Sequence, residues 1–320
     1  MAITLTQLRS FLAVLRTGSV TGAAEDLVVT QPSVSAALTA LSRELGIDLT
    51  ERVGRNVRPS SAGRAFAPYA ADVIGLLEQG TRAAREAADS TTREVRVSAV
   101  TTAGEHIVPP LMEAFGARHP DIALSVDVGN RDRVFERIRS RASDIAIAGR
   151  PPRDGGIEGI PFIENPVVLI AAPSDPLVRA GQVPVAALGT RPWLLREEGS
   201  GTRGMAEEFL ARHDLHPEIL TLGSNGAIKQ TARAGLGISL QSRLAAHLEL
   251  ELGLLAEVRT VAKMPERHWY LLQPTRGPVR ESVRRFAEFA PSEDARRAVE
   301  EARLVWAPDA RGEPGDGGPG

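Results

Sequence analysis

Apolar residues at the start of the chain recur at three- and four-residue steps: Leu5, Leu8, Phe11, Leu12 and Leu15. That spacing places them on one face of a helix. Thr4 and Gln7 form a Thr-x-x-Gln capping box in front of it, and Gly18 stops it. Ser19 caps a short second helix, where Ala23, Ala24 and Leu27 allow close packing. Thr30 or Gln31 caps a third, with Pro32 tolerated in its first turn and Leu45–Gly46 at its end. Val34, Leu38, Leu41 and Leu45 mark the buried side of that helix. A long helix follows from about Ser61 to Ala88. On it Phe66, Tyr69 or Ala70, Val73, Leu76 or Leu77, Gly80, and Ala83 or Ala84 recur at helical steps. One apolar stripe on so long a helix, outside any domain core, predicts a dimer seam or coiled coil. Pro68 near its beginning is a candidate kink.

The tract Ser90-Thr91-Thr92 reads as a hinge, and beyond it the pattern changes to alternating strands and helices. Strands are predicted at Arg96–Val100, Ile122–Val128, Asp144–Ala148, Val167–Ala172, Trp193–Leu195, Ile219–Leu222, Ile238–Gln241 and Trp269–Gln273. Helices are predicted at Ile107–Arg118, Arg131–Arg141, near Thr202–His213, and at Ala227–Ala234. This alternation predicts an α/β region with mainly parallel strands, long enough for two lobes around a cleft. A charged helical segment, Glu293–Val305, and a Gly/Pro-rich end expected to be disordered complete the chain. The expected division is residues 1–60, a helical head; 61–90, a linker helix; 91–291, two α/β lobes; and 292–320, the charged segment and tail.

Composition narrows the class. The 320 residues are 42% hydrophobic and 24% charged, ordinary for a globular protein. Zero cysteines exclude disulfides and cysteine-ligated zinc, and suit a reducing cytosol. The first helix is interrupted by Gln7 and Arg9 and has no basic region before it, unlike a signal peptide. No run approaches the ~18 apolar residues of a membrane span. A cytoplasmic protein is expected. The net charge of −2 argues against a chain coated in nucleic acid, but the local balance differs. Residues 1–70 carry seven arginines against five acids, and Arg52 to Arg64 carries four against none. Phosphate contacts require local positive charge of this kind.

The second and third helices have the proportions of a helix-turn-helix, whose recognition helix enters the major groove by its first turn. With Val34, Leu38, Leu41 and Leu45 buried, Pro32, Ala36, Thr39 and Arg43 lie opposite, with Ser33 and Ser35 on the flanks. Gln31, Pro32, Ser33, Ser35 and Thr39 are therefore the groove candidates. Gln pairs bidentately with adenine, and small hydroxyls permit close approach. Arg52, Arg55 and Arg58 suit a wing against the phosphate backbone or minor groove.

The stretch GSVTGAAEDLVVTQPSVSAALTALSRELG, residues 18–46, is similar to the signature of LysR-type transcriptional regulators, and the resemblance extends over roughly residues 3–290. It implies an α+β multidomain protein: an N-terminal winged helix-turn-helix, a long linker helix and a C-terminal two-lobed α/β domain like periplasmic binding proteins. It further implies dimers or tetramers on partly palindromic double-stranded DNA, a small-molecule effector in place of any cofactor, contact with RNA polymerase in an activator, and no membrane partner. The chain departs from the family pattern at Ala36 and Ala37, at Ser42 and at Thr50. Bare alanines reduce direct base readout, leaving more of the specificity to DNA shape and to the wing.

In the second half, REEGSGTRG (Arg196–Gly204) stands out. Ser200, Gly201 and Thr202 lie where a strand turns into a helix. Free backbone N–H groups, two hydroxyls and Arg203 would together form an anion site there. Thr101-Thr102 and Gly223-Ser224-Asn225 occupy two further strand-to-helix turns, which converge at the carboxyl ends of the strands. The segments EGSGTR and GSNGAIKQTARAGLGI resemble the CbbR-like (Calvin-cycle regulator) or related sulfur-gene branch of the family. That resemblance implies anionic effectors such as phosphorylated metabolites, held by Thr101, Thr102, Asn130, Ser200, Thr202 and Asn225.

Rival readings account for less. The sequence has no Gly-x-Ser-x-Gly elbow and no Walker sequence, and Gly235-Leu236-Gly237 lacks the third glycine of a dinucleotide fingerprint. His213 and His216 could share a helix face as metal ligands, but Pro217 follows at once and no carboxylate pair completes the site. No catalytic or metal residues are therefore nominated. Beside an enzyme fused to a DNA-binding head, the remaining alternative is an effector-independent architectural protein. That alternative predicts equal competition by random and promoter DNA.

Overall fold

The computed structural model describes residues 2–54, 56–89, 93–152 and 155–304. The wing-tip Arg55, the Ser90-Thr91-Thr92 tract and the Gly/Pro-rich tail lie outside the described residues.

The head opens with α1 (Leu5–Thr17), α2 (Val20–Leu27) and α3 (Gln31–Leu45). Their ends obey local chemistry. Both halves of the Thr4–Gln7 capping box are made, Ser19 and Thr30 accept from the first turns of α2 and α3, and Gly18 and Gly46 close α1 and α3 in the left-handed region. Ala13, Val14, Ala23, Ala24 and Val34 pack the helix-turn-helix, with Val57 of the wing against them. The wing is a hairpin of β1 (Thr50–Val53) and β2 (Asn56–Pro59). Its Val57 N–H donates to Gly18 O at 2.8 Å, tying the wing to the end of α1.

Between α2 and α3, Val28 is 90% exposed and held at φ 55°, ψ 46°. A β-branched residue is an outlier there, because its Cβ crowds the following carbonyl. Val28→Asn is expected to raise the stability of the head by about 1 kcal/mol, read as a shifted denaturation midpoint. No shift would mean that the turn relaxes at no cost.

The long helix α4 spans Ser61–Ala88 and runs unbroken across Pro68, which lies exposed. Its faces have separate duties, which corrects the expectation of one free apolar stripe. Phe66, Ala67, Ala70 and Ile74 complete the head core with Leu8, Phe11, Leu41 and Leu49. Tyr69, Val73, Leu76 and Leu77 remain exposed. A third, polar face packs on the C-terminal domain.

That domain begins with β3 (Glu94–Val100), α5 (Thr101–His106), α6 (Val108–Arg118), β4 (Ala123–Gly129), α7 (Arg131–Arg139), β5 (Ile145–Ala148) and β6 (Ile157–Glu164). The chain then crosses into a second lobe: β7 (Val167–Ala171), α8 (Pro176–Arg179), β8 (Gln182–Val183), β9 (Trp193–Arg196), α9 (Gly201–Arg212), β10 (Ile219–Leu222), α10 (Asn225–Arg233), β11 (Ser239–Ser242), α11 (His247–Glu251), β12 (Ala256–Glu257) and β13 (Arg259–Thr260). It returns to the first lobe as β14 (His268–Pro274), α12 (Glu281–Phe289) and α13 (Glu293–Leu304).

Lobe 1 holds a five-stranded sheet in the order β4-β3-β5-β14-β6, and lobe 2 a sheet β11-β7-β12 beside the pair β10-β9. The expectation of mainly parallel strands holds only where helices intervene, for β3 with β4 and β5, for β9 with β10 and for β8 with β13. β14 runs antiparallel to β5 and β6, and β7 to β11 and β12. A returning chain pairs antiparallel, whereas parallel neighbours require a crossover. The unexpected strand β6 contains Gly159 and Pro161, and it is an edge strand, where proline is tolerated. The charged C-terminal segment is likewise no appendage: Ala295 and Val299 of α13 are buried in the lobe 1 core with Phe115, Phe286 and Phe289.

Candidate functional site

The head presents its groove candidates to solvent. Gln31, Pro32, Ser33, Ser35 and Thr39 are all exposed, while Val34 and Leu41 on the opposite side are fully buried. Thr30 Oγ1 and Ser33 Oγ lie 2.8 Å apart, and Thr39 Oγ1 donates to Ser35 O within the helix. These hydroxyls keep unused lone pairs for a partner. Arg52 and Arg58 project from the wing with no ion pair among the described residues.

The second site is a cavity between the lobes. Four strands of the domain deliver their carboxyl ends or following turns to it. Thr101 and Thr102 enter after β3, Gly129 and Asn130 after β4, Gly149 after β5, and Arg196 and Ser200 with β9 and its turn. Ser200 caps α9 by accepting from Thr202 N, and Asn130 caps α7 by accepting from Arg133 N at 3.0 Å. The two lobes touch across the cleft: Asn225 Nδ2 donates to Thr102 Oγ1 at 3.0 Å, and Asp132 N to Gly199 O at 3.3 Å.

Of the residues nominated from sequence, Thr101, Thr102, Asn130, Ser200, Gly201 and Thr202 line this cavity. Asn225 stands behind it, linking Thr102 to Arg196. Arg203 is a correction. It turns outward along α9, where Nε donates to Glu207 at 2.7 Å and Nη1 to Arg196 O at 3.1 Å, and it does not line the cavity. The pairing with Glu207, one turn on, and with the Arg196 carbonyl holds its guanidinium on the flank of α9.

The cations in the cavity are three that sequence reasoning did not nominate. Arg196 is buried and already engaged, by Glu197 and by Asn225 Oδ1 at 2.7 Å. Arg131 stacks on Phe135, 4.3 Å from the ring centroid, and donates to Arg150 O. Arg267, at the return from lobe 2, has no carboxylate within ion-pairing distance among the described residues; its hydrogen-bond partner is Met205 Sδ at 3.4 Å. Burial, and then the like charge of Arg131, pull its guanidinium below the ordinary arginine pKa, with Glu208 opposing weakly. Its Nη2 lies 3.0 Å from where a Cβ on Gly149 would sit and 3.8 Å from one on Gly201. Two glycine backbones thus leave it access to the cavity floor. Trp269, also lining the cavity, is buried with its Nε1 unpartnered. A desolvated cation without a counter-charge, opening onto a cavity lined by hydroxyls, forms a site that attracts an anion.

Residues 5–64 match the helix-turn-helix model of the lysR family of bacterial regulatory proteins, and residues 88–295 match the LysR substrate-binding domain. The chain belongs to the LysR family of transcriptional regulators. It is 35% identical over 270 residues to the transcriptional activator CmpR of Synechocystis, covering 84% of this chain and 88% of that protein. It is 34% identical over 297 residues to a RuBisCO operon transcriptional regulator of Allochromatium vinosum, covering 92% and 98%. Among solved structures, the regulatory domain of Synechocystis CcmR in complex with 2-PG superposes with a TM-score of 0.59 at 29% identity, covering 62% of this chain and 95% of that one. This LysR-family regulator therefore binds DNA through its head and carries an effector-binding domain; its relatives are regulators, not enzymes. Among the described residues no helix is long and apolar enough to cross a membrane.

Proposed function

We propose that this LysR-family regulator is switched by a small phosphorylated or carboxylated anion held between the lobes, of the class of the 2-PG (2-phosphoglycolate) found in the CcmR domain. The observation that carries the reading is Arg267, a desolvated guanidinium without a counter-charge, aimed at a cavity rimmed by Thr101, Thr102, Ser200 and Thr202. Arg131 and the hydroxyls supply directional hydrogen bonds, while Arg267 supplies the uncompensated charge. Because Asn225–Thr102 and Asp132–Gly199 cross the cleft, an anion seated beside them alters how the lobes pack. That changes the spacing of winged heads in a dimer or tetramer. The exposed Tyr69, Val73, Leu76 and Leu77 of α4 supply an apolar seam for the dimer. Gln31, Pro32, Ser33, Ser35 and Thr39 read the groove, and Arg52 and Arg58, with Arg55, hold the backbone. The work is done in the cytoplasm, with RNA polymerase as the further partner at promoters the protein activates.

Isothermal titration of the full chain with 2-phosphoglycolate, inorganic phosphate and neutral glycerol tests this reading. Saturable binding of an anion and none of glycerol is expected, with affinity falling as salt rises. Equal indifference to all three would overturn it.

A further inference from the structure

The polar face of α4 carries Asp72, Gly75, Gln79, Arg82 and Glu86, at steps of three and four residues. Every one of them meets lobe 1. Arg141, which follows α7, is buried at a left-handed φ of 57°. Its guanidinium donates from Nε to Asp72 Oδ1 at 2.7 Å, from Nη1 to Gln79 Oε1 at 3.2 Å, and from Nη2 to Arg276 O at 2.7 Å. Two turns further along α4, Arg280 bridges Glu86 and Asp144 at 2.7 Å each, and Ser282 donates to Glu86 from both its N–H and its hydroxyl. Arg82 closes the set 3.7 Å from Asp144. Gly75 permits the approach, since a Cβ there would lie 2.3 Å from Ser140 O. Arg280, Glu86 and Asp144 are each less than a tenth exposed at the side chain. These are desolvated, geometrically fixed pairs rather than surface ion pairs.

The elements of lobe 1 run between this cluster and the cavity. α7, about 13 Å long at 1.5 Å per residue, has Asn130 and Arg131 at the cavity end and Arg141 just past its other end. β5 begins after Asp144 and ends before Gly149, and β14 runs from Trp269 in the cavity towards Arg276.

We propose that the polar face of α4 is a mechanical joint that fixes the linker helix to lobe 1, so that head, α4 and lobe 1 move as one body and lobe 2 is the part the ligand moves. The joint rests on the contacts above; its part in transmission rests on the anion reading of the cleft. Asp72, Glu86 and Arg141 are on this account positioning residues, in contact with neither DNA nor ligand.

Two variants of the full chain open the joint from the α4 side and leave lobe 1 intact. Asp72→Ala/Glu86→Ala removes the charges. Gly75→Ala inserts a wedge although alanine favours a helix. Amide hydrogen exchange at 79–88 is expected to accelerate about tenfold or more in both, with β3 and β5 unchanged. DNA affinity, measured by fluorescence anisotropy with and without 2-phosphoglycolate, is expected to lose its ligand dependence while calorimetric binding of 2-phosphoglycolate persists. Unchanged exchange in both variants would overturn the joint. Faster exchange with a full ligand response would overturn its role in transmission. A parent chain that ignores 2-phosphoglycolate would count against the anion reading alone, because the exchange measurement needs no ligand.

Discussion

Arg267→Met is expected to abolish anion binding in the cleft and, at the same time, to raise the melting temperature of the free protein. The two effects share one cause. Among the described residues Arg267 has Met205 Sδ at 3.4 Å for a partner and the repulsive Arg131 for a neighbour, so the free protein bears a desolvated charge without compensation. A methionine of similar length keeps the packing and removes that cost, a gain of about 1 kcal/mol. Binding loses its charge-assisted partner, a penalty of roughly 2–5 kcal/mol for a desolvated pair, or about thirtyfold or more in Kd. A structural arginine would behave in the opposite way, its removal destabilising the protein and sparing the ligand. Arg203→Met is the matched control. It deletes a cation from the same helix-start region but off the cavity, and ligand affinity is expected to stay within about twofold. Calorimetry and thermal melting of the two variants separate the cases, and a destabilised Arg267→Met protein that still binds the anion would refute the assignment.

The difference between these two arginines marks where sequence reasoning stops. Arg203 sits inside the motif that draws the eye, yet its direction is set by α9 and it pairs with Glu207 one turn on. Arg267 carries no local motif. Its place in the cavity comes from the second crossing between lobes, which sets it beside Thr101 and Asn130, far earlier in the chain, in a juxtaposition that no periodicity records. Arg131 was legible in principle, as the neighbour of a helix-capping Asn130. Where the physics is local, the reading of the chain was close: the Thr4–Gln7 box, the caps at Ser19 and Thr30, the left-handed stops at Gly18 and Gly46, and both ends of α4. Pairing direction in lobe 2 was not local, and neither was the division of α4 into three faces. Asp72, Gln79, Arg82 and Glu86 look like the solvated side of a helix until Arg141 and Arg280 are brought against them.

Gly63→Ala is expected to cost DNA binding without touching the ligand site. Gly63 lies in the first turn of α4, directly under the chain that enters the wing. The carbonyl of Leu49 accepts from Ser60 N at 3.0 Å, Ser60 Oγ donates to Asp48 O at 2.7 Å, and Gly63 N donates back to Ser60 Oγ. A Cβ at position 63 would stand 1.9 Å from Leu49 O. That is a collision with backbone, and no rotamer relieves it. Overpacking of this kind costs about 3 kcal/mol, against at most ~1 kcal/mol gained from alanine in a helix. The surplus is released by moving either the wing strand or the start of α4. Moving the strand carries Arg52 and Arg58 off the line set by α3, so DNA affinity is expected to fall by about tenfold or more with a shallower salt dependence. Gly116→Ala, in the last turn of α6 with nothing within 4 Å of its added Cβ, is expected to be neutral or stabilising. Anisotropy across a salt series measures the loss, and unchanged calorimetry with 2-phosphoglycolate shows that the effector domain is intact. A Gly63→Ala protein that bound DNA like the parent would mean that the Leu49 carbonyl is free to turn away, and that the wing is not held by the helix that follows it.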